Sequence, residues 1–233
     1  MNIPMSWLRA CTGITEDTRR FMDTVTLTGL KVEGLALPGA DISKVVVGKV
    51  VSIGKHPDAD KLLITQIDIG ERVIQIVTGA QNLSVGDFVP AALDGATLAE
   101  GKRIKKGKLR GVDSDGMLCS ITELGYTLND YPEAPEDGIY VFQQPQPLGA
   151  DVKPILEICD EVIDFEILSN RPDLNAVLGV AREAAAAYGQ TFTMPSITVK
   201  ESGGGNAQDM IAVEIRNAEL CPRYIAQIGR AHV

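Results

Sequence analysis

Ten glycines between residues 48 and 116, set among short runs of valine and isoleucine, constrain this chain more than any other feature. Val45–Ile53, Leu62–Ile69, Val73–Val77, Asp87–Leu93 and Gly138–Phe142 read as strands, because β-branched side chains fit a pleated surface and glycine breaks the runs into turns. The turn H-P-D-A-D at 56–60 joins the first two. Ser120–Leu124 is the one helix-like piece. Many short strands with glycine-rich turns over residues 40–150 predict a small β-barrel or sandwich.

The flanks follow another period. Over residues 1–35, Thr15 is placed to cap a helix, with Glu16 and Asp17 at its positive end and Gly29 at its stop. Phe21, Met22 and Val25 fall at helical spacing, and K-V-E-G-L at 31–35 reads as a strand. Beyond 151, Asp151–Ile158 reads as a short helix and Glu161–Leu168 as a strand with Val162, Asp164 and Glu166 on one face. Asp173 is expected to cap a longer helix whose stripe is Leu174, Val177, Leu178, Ala181, Ala185 and Tyr188, ended by Gly189. Pro172 holds Arg171 extended before it.

Neither flank is long enough to build a core alone, but together they suffice. Domain ends usually lie close, which lets one domain sit inside another. The expected fold class is therefore α+β: a barrel over 40–150 inserted into a small α/β domain made from 1–39 and 151–200. The stretch S-G-G-G-N at 202–206 reads as a linker. Met210–Ile215 alternates like a strand, so 207–233 is expected to be the truncated start of another domain, with I-G-R-A-H-V as an artefactual ending.

Charge and composition narrow the chemistry. Twenty-two basic against 31 acidic residues give net −9, which excludes a positively charged coat but not a local basic patch. Cys11, Cys119, Cys159 and Cys221 form no C-x-x-C pair, and His56 and His232 are the only histidines. Zinc needs clustered thiolates and imidazoles, so no metal site is expected. Serine–histidine or cysteine–histidine catalysis has little to work with. Asp58/Asp60 and Asp113/Asp115 sit in turn-like contexts where aspartate is at home. No phosphate-binding G-x-x-x-x-G-K-[ST] loop or dinucleotide fingerprint is present. No apolar run is long enough to span a membrane or serve as a signal peptide, so the expected location is cytoplasmic, with no membrane partner.

The densest charge lies in E-G-K-R-I-K-K-G-K-L-R-G. Lys102, Arg103, Lys105, Lys106, Lys108 and Arg110 put six cations into nine residues. Two readings stand. One is a contact to an RNA phosphate backbone. The other is a solvated hairpin neutralised by Glu100, Asp113 and Asp115. Lys55, His56 and Lys61, at the ends of the H-P-D-A-D turn, are further candidates for phosphate or sugar. Phe88, Tyr126, Tyr131, Tyr140 and Phe142 show no ladder in sequence for stacking bases.

The order H-P-D-A-D-K-L, G-A-Q-N, G-A-T-L and K-L-R-G-V-D-S-D-G-M-L-C-S-I-T-E-L-G resembles the tRNA-binding OB-fold first named from an endothelial-monocyte-activating cytokine. That domain also occurs as a free homodimeric tRNA chaperone and as an appendage of methionyl-tRNA synthetases. M-S-W-L-R at 5–9, T-G-L-K-V-E-G at 28–34, S-N-R-P-D-L-N…G-V-A-R-E at 169–183 and C-P-R-Y at 221–224 are similar to the N-terminal region of the bacterial phenylalanine–tRNA ligase β subunit. The resemblance implies an OB-fold inserted into a small N-terminal domain, and a role in charging tRNA(Phe). It implies an α subunit as partner in an α2β2 heterotetramer, with ATP and Mg2+ serving the full enzyme. It places no catalytic residue or cofactor in this stretch and gives no reason to expect DNA as a partner. A stand-alone tRNA-binding chaperone is the alternative, and it predicts little more than the barrel.

Overall fold

A computed structural model describes residues 1–198 and 205–226. Residues 1–194 form one compact unit. The chain opens with strand β1 (Asn2–Pro4), helix α1 (Met5–Thr12), helix α2 (Thr18–Leu27) and strand β2 (Val32–Ala36). The cap of α2 is Asp17, not Thr15: its carboxylate accepts from the Arg19 N–H at 3.0 Å and the Arg20 N–H at 3.4 Å. A carboxylate there both fills the orphan donors and meets the positive end of the helix.

The middle of the chain supplies β3 (Ser43–His56), β4 (Ala59–Asp68), β5 (Val73–Thr78), β6 (Phe88–Thr97), β7 (Gly107–Leu109), β8 (Val112–Ser114) and β9 (Gly116–Leu118). Five of these form an antiparallel sheet in the order β5-β4-β3-β6-β9, and β7 pairs with β8 in a separate hairpin. The two edges of the larger sheet approach each other. The Asp115 N–H donates to the Gln75 carbonyl at 2.7 Å, and the Val77 N–H donates to Ser114 Oγ at 3.1 Å. Val45 and Val47 face one buried cluster, and Val50, Ile67, Ile74, Ile76 and Val89 face another on the opposite side of the sheet, because successive side chains alternate between the two faces. Gly138–Phe142, expected as a strand, is irregular. Its ladder contact is Phe142 N–H to the Phe88 carbonyl at 2.9 Å.

Helix α3 (Val152–Ile155), strand β10 (Val162–Phe165) and helix α4 (Val177–Tyr188) complete the unit. Strand β10 lies between β1 and β2, antiparallel to both, so the first and last thirds of the chain share one sheet. Ile163 and Phe165 face a core with Ile3, Met5, Leu8, Phe21, Val25, Leu30, Val180, Ala181 and Ala184, separate from the two clusters under the larger sheet.

Asp173 does not cap α4. It lies in a 3₁₀ turn, Pro172–Leu174, where the Arg171 guanidinium grips its carboxylate at 2.9 and 3.0 Å and also reaches Glu183 at 2.8 Å. The helix starts at Val177, with Ala176 in the cap position and no side-chain cap. Leu174, Ala181 and Ala185 of the expected stripe are buried, together with Val180 and Ala184, while Val177, Leu178 and Tyr188 are only partly covered.

Residues 195–226 are described apart. Helix α5 spans Ala207–Met210, and Ile211–Ile215 forms no ladder among the described residues, although it alternates like a strand. A strand needs a neighbour for its N–H and C=O groups, and none pairs with it here. Residues 202–204 of the expected linker and the whole I-G-R-A-H-V ending lie outside the described residues.

Cys119 is fully buried and its thiol is pushed up to about 12, chiefly by desolvation, whereas Cys159 is exposed. The thiolate is the reactive form. Ellman's reagent should therefore label Cys159 rapidly and reach Cys119 only on unfolding, followed by mass spectrometry of tryptic peptides. Equal labelling of both in the native state would contradict the packing.

Candidate nucleic-acid interface

The basic segment is anchored at Ile104, its one buried apolar residue. The Ile104 backbone pairs with β6 on both sides: Ile104 N–H to the Ala96 carbonyl at 2.8 Å, and Gly95 N–H to the Ile104 carbonyl at 2.9 Å. Hairpin β7–β8 then turns through Arg110 (φ 50°) and Gly111 (φ 87°). A two-residue hairpin that follows the strand twist asks for left-handed backbone at both positions, and glycine at the second accepts it without strain.

All six predicted cations are exposed, and they divide into two groups. Lys102 pairs with Glu123 at 3.2 Å, Lys106 contacts Asp115, and Lys108 stands 3.8 Å from Asp113. Asp115 and Asp113 act as the neutralised-hairpin reading expected, but Glu123 takes the place of Glu100. The hydrogen bond between Lys106 and Asp115 raises the ammonium pKa and lowers that of the carboxylate. Arg103, Lys105 and Arg110 have no ion pair among the described residues.

Glu123 escaped the sequence reading as a charge partner because its role is local. The Ser120 Oγ accepts from the Glu123 N–H at 3.3 Å, while Glu123 Oε2 accepts from the Ser120 N–H at 3.0 Å. This reciprocal cap fixes the carboxylate where Lys102 meets it. Ser114 was likewise missed. It is buried, and beside its bond from Val77 it donates to the Gly116 carbonyl at 3.0 Å, tying β5 to β9.

His56 is not a surface contact. It is buried, its Nδ1 accepts from the Asp58 N–H at 3.1 Å, and its Nε2 faces the Leu109 carbonyl at 3.1 Å. The first partner is a donor, so the proton sits on Nε2, which donates to Leu109. The ring thus ties the H-P-D turn to the basic hairpin. Lys55 and Lys61 are exposed at the ends of that turn.

The aromatics that looked scattered meet in space. Tyr126, Tyr131, Tyr140 and Phe142 form an edge-to-face chain with centroids 5.3 to 6.0 Å apart. Tyr140 and Phe142 are buried, and Tyr131 donates to the Leu156 carbonyl, so the chain packs the interior rather than offering a row of exposed faces. An open cleft of about 960 Å3 beside it includes Trp7, Tyr126, Asp130, Cys159 and Asp160. Its aspartates are already engaged, Asp130 with the N–H and hydroxyl of Thr127 and Asp160 with those of Ser6. Among the described residues no group of three or more His, Cys, Asp or Glu side chains is arranged to hold a metal ion. No helix among them is long and apolar enough to cross a membrane.

A two-sided sheet that carries a basic hairpin on its rim is the class of module that the family comparison also finds: residues 45–151 match the family described as "Putative tRNA binding domain". The similarity extends well beyond those residues. The chain is 44% identical over 228 residues, 97% of its length, to the phenylalanine–tRNA ligase beta subunit of Clostridium tetani. It is 42% identical over 98% of its length to that of Clostridium acetobutylicum, and 40% over 98% to that of Staphylococcus aureus. The chain is thus homologous along almost its whole length to phenylalanine–tRNA ligase beta subunits, and it spans 28% of the length of these relatives. Among solved structures, a MetRS related protein from Pyrococcus horikoshii aligns at 23% identity over 46% of this chain and 85% of that one, with a TM-score of 0.32.

Proposed function

We propose that this chain is the N-terminal part of a phenylalanine–tRNA ligase beta subunit, and that it binds tRNA and supports the charging of tRNA(Phe). The observation that carries this reading is the reach of the homology. Identity of 40–44% covers both flanks as well as the middle, whereas a stand-alone chaperone would match the middle alone. In this reading 40–150 is an OB-fold barrel inserted into a small α/β domain of 1–39 and 151–200, and 207–233 begins a further domain. The strand order β5-β4-β3-β6-β9 and the hydrogen bond between its edges support the barrel, and the sheet shared by β1, β10 and β2 supports the insertion. The α subunit, an α2β2 heterotetramer, cytoplasmic location and the use of ATP and Mg2+ belong to the full enzyme. The residues described here supply none of its covalent chemistry. They supply positive charge on a rigid rim.

The test is a salt series of tRNA binding by the purified chain. Each lysine or arginine that meets a phosphate releases counterions, so three to five contacts give a slope of log K against log salt of about −2 to −4.5. Little preference among tRNA sequences is expected, because phosphate contacts position a ligand without specifying it. Binding that ignores salt, or none, would reject a direct tRNA role for this part of the subunit.

A further inference from the structure

Lys44 comes from the start of β3, far from the basic segment in sequence. It is exposed and left-handed, at φ 55°, a conformation that lysine keeps only when its surroundings impose it. The cause lies across the sheet. Ser43 pairs with Thr97 while Val45 pairs with Ala92, so Leu93–Ala96 bulges from β6. That bulge is bound to the basic segment by the two Ile104 bonds and by the Lys106 N–H, which donates to Asp94 at 2.8 Å. Thr97, the partner of Ser43, also bridges Arg103.

The Lys44 ammonium ends over this junction. Its Nζ lies 3.1 Å from the point where a Cβ on Gly95 would sit, so the missing side chain of Gly95 is what makes room for it. Among the described residues Lys44 has no ion pair, and neither have Arg103 and Lys105 close by. The difference from Lys106 and Lys108 is physical. A lysine already holding an aspartate gains less from an arriving phosphate, which must displace the carboxylate. An unpaired one neutralises a phosphate directly and frees the cations condensed on the RNA there.

We propose that Lys44, Arg103 and Lys105, grouped around Gly95, form a phosphate-binding site for an RNA backbone, and that Lys106 and Lys108 take little part because their aspartates hold them. The site rests on the tRNA-binding reading above and names which cations carry it.

The experiment uses the full chain and fluorescently labelled tRNA, with anisotropy read across a salt series. Lys44→Gly removes the ammonium while suiting the left-handed backbone, so its thermal unfolding should not fall below that of the parent. It should bind about tenfold more weakly at about 50 mM salt, with a slope flatter by about 0.7 to 0.9. Lys44→Arg should keep the parent's slope, and the double variant Lys106→Ala/Lys108→Ala should stay near the parent. A parent that binds tRNA while Lys44→Gly matches it would overturn the site and leave the tRNA reading standing. So would a larger loss in the double variant than in Lys44→Gly. A parent without salt-dependent binding would remove the tRNA reading and the site together.

Discussion

Phe165→Ala should cost about 3–5 kcal/mol, the range for truncating a fully buried phenylalanine. Phe165 is 1% exposed, on the central strand of the sheet built from both ends of the chain. Its ring fills the space among residues from α1, α2 and α4, which relax poorly around a hole because each is held by its own backbone bonds. Guanidinium unfolding followed by circular dichroism gives the magnitude. Amide exchange gives the location. Ile3, which pairs with Ile163 on one side, and Gly34, which pairs with Asp164 on the other, should lose amide protection first, while the Ile67 amide in the larger sheet is retained. Uniform loss in both sheets would mean that the two cores unfold as one, against an inserted domain.

Gly179→Ala should destabilise by about 3 kcal/mol, although the same change on an exposed helix gains about 1 kcal/mol. The sign reverses because a Cβ at Gly179 would stand 1.9 Å from the Asp173 carbonyl oxygen and 2.8 Å from its carbon. Those atoms are backbone and cannot swing aside. The 3₁₀ turn is in turn clamped, since Arg171 holds Asp173 and Glu183 together. The alanine variant should therefore lower the unfolding midpoint, and loosening the clamp with Arg171→Ala in the same chain should make the second penalty smaller than it is alone. A neutral or stabilising Gly179→Ala would show that the helix is not pressed against the turn.

The strands of the middle region were legible because valine and isoleucine runs between glycines leave little choice: β3 and β5 contain the runs that predict them, and β4 and β6 each miss theirs by one end residue, Ile69 and Asp87. Helix starts were read less well. Thr15 and Asp173 both have the chemistry of a cap, but Asp17 lies closer to the first turn of α2, and Asp173 was taken by a guanidinium that only the fold brings near. The six basic positions could be read from the sequence only as a cluster, and their path is set by Ile104, whose backbone is bonded to β6. Asp113 and Asp115 could be named as partners from the sequence, but the pairing of Lys102 was hidden, since Glu123 is set by a local cap. Lys44 carried no sequence signal at all. Its left-handed backbone and its place over Gly95 arise from a bulge on the opposite strand.

The two bonds of His56 make the H-P-D turn and the tip of the basic hairpin a single mechanical piece. The imidazole spans from the Asp58 amide to the Leu109 carbonyl, next to Arg110. A load placed on the hairpin by a bound polyanion would be passed to the end of β3 and β4 rather than spent in bending a loose finger. The stiffness of this rim thus depends on one side chain whose ring can accept on one edge and donate on the other. Asparagine reaches less far, and phenylalanine fills the space but bonds at neither end, so either would leave the tip at Leu109–Arg110 held only through bonds nearer the base of the hairpin, at Ile104, Lys106 and Ser114.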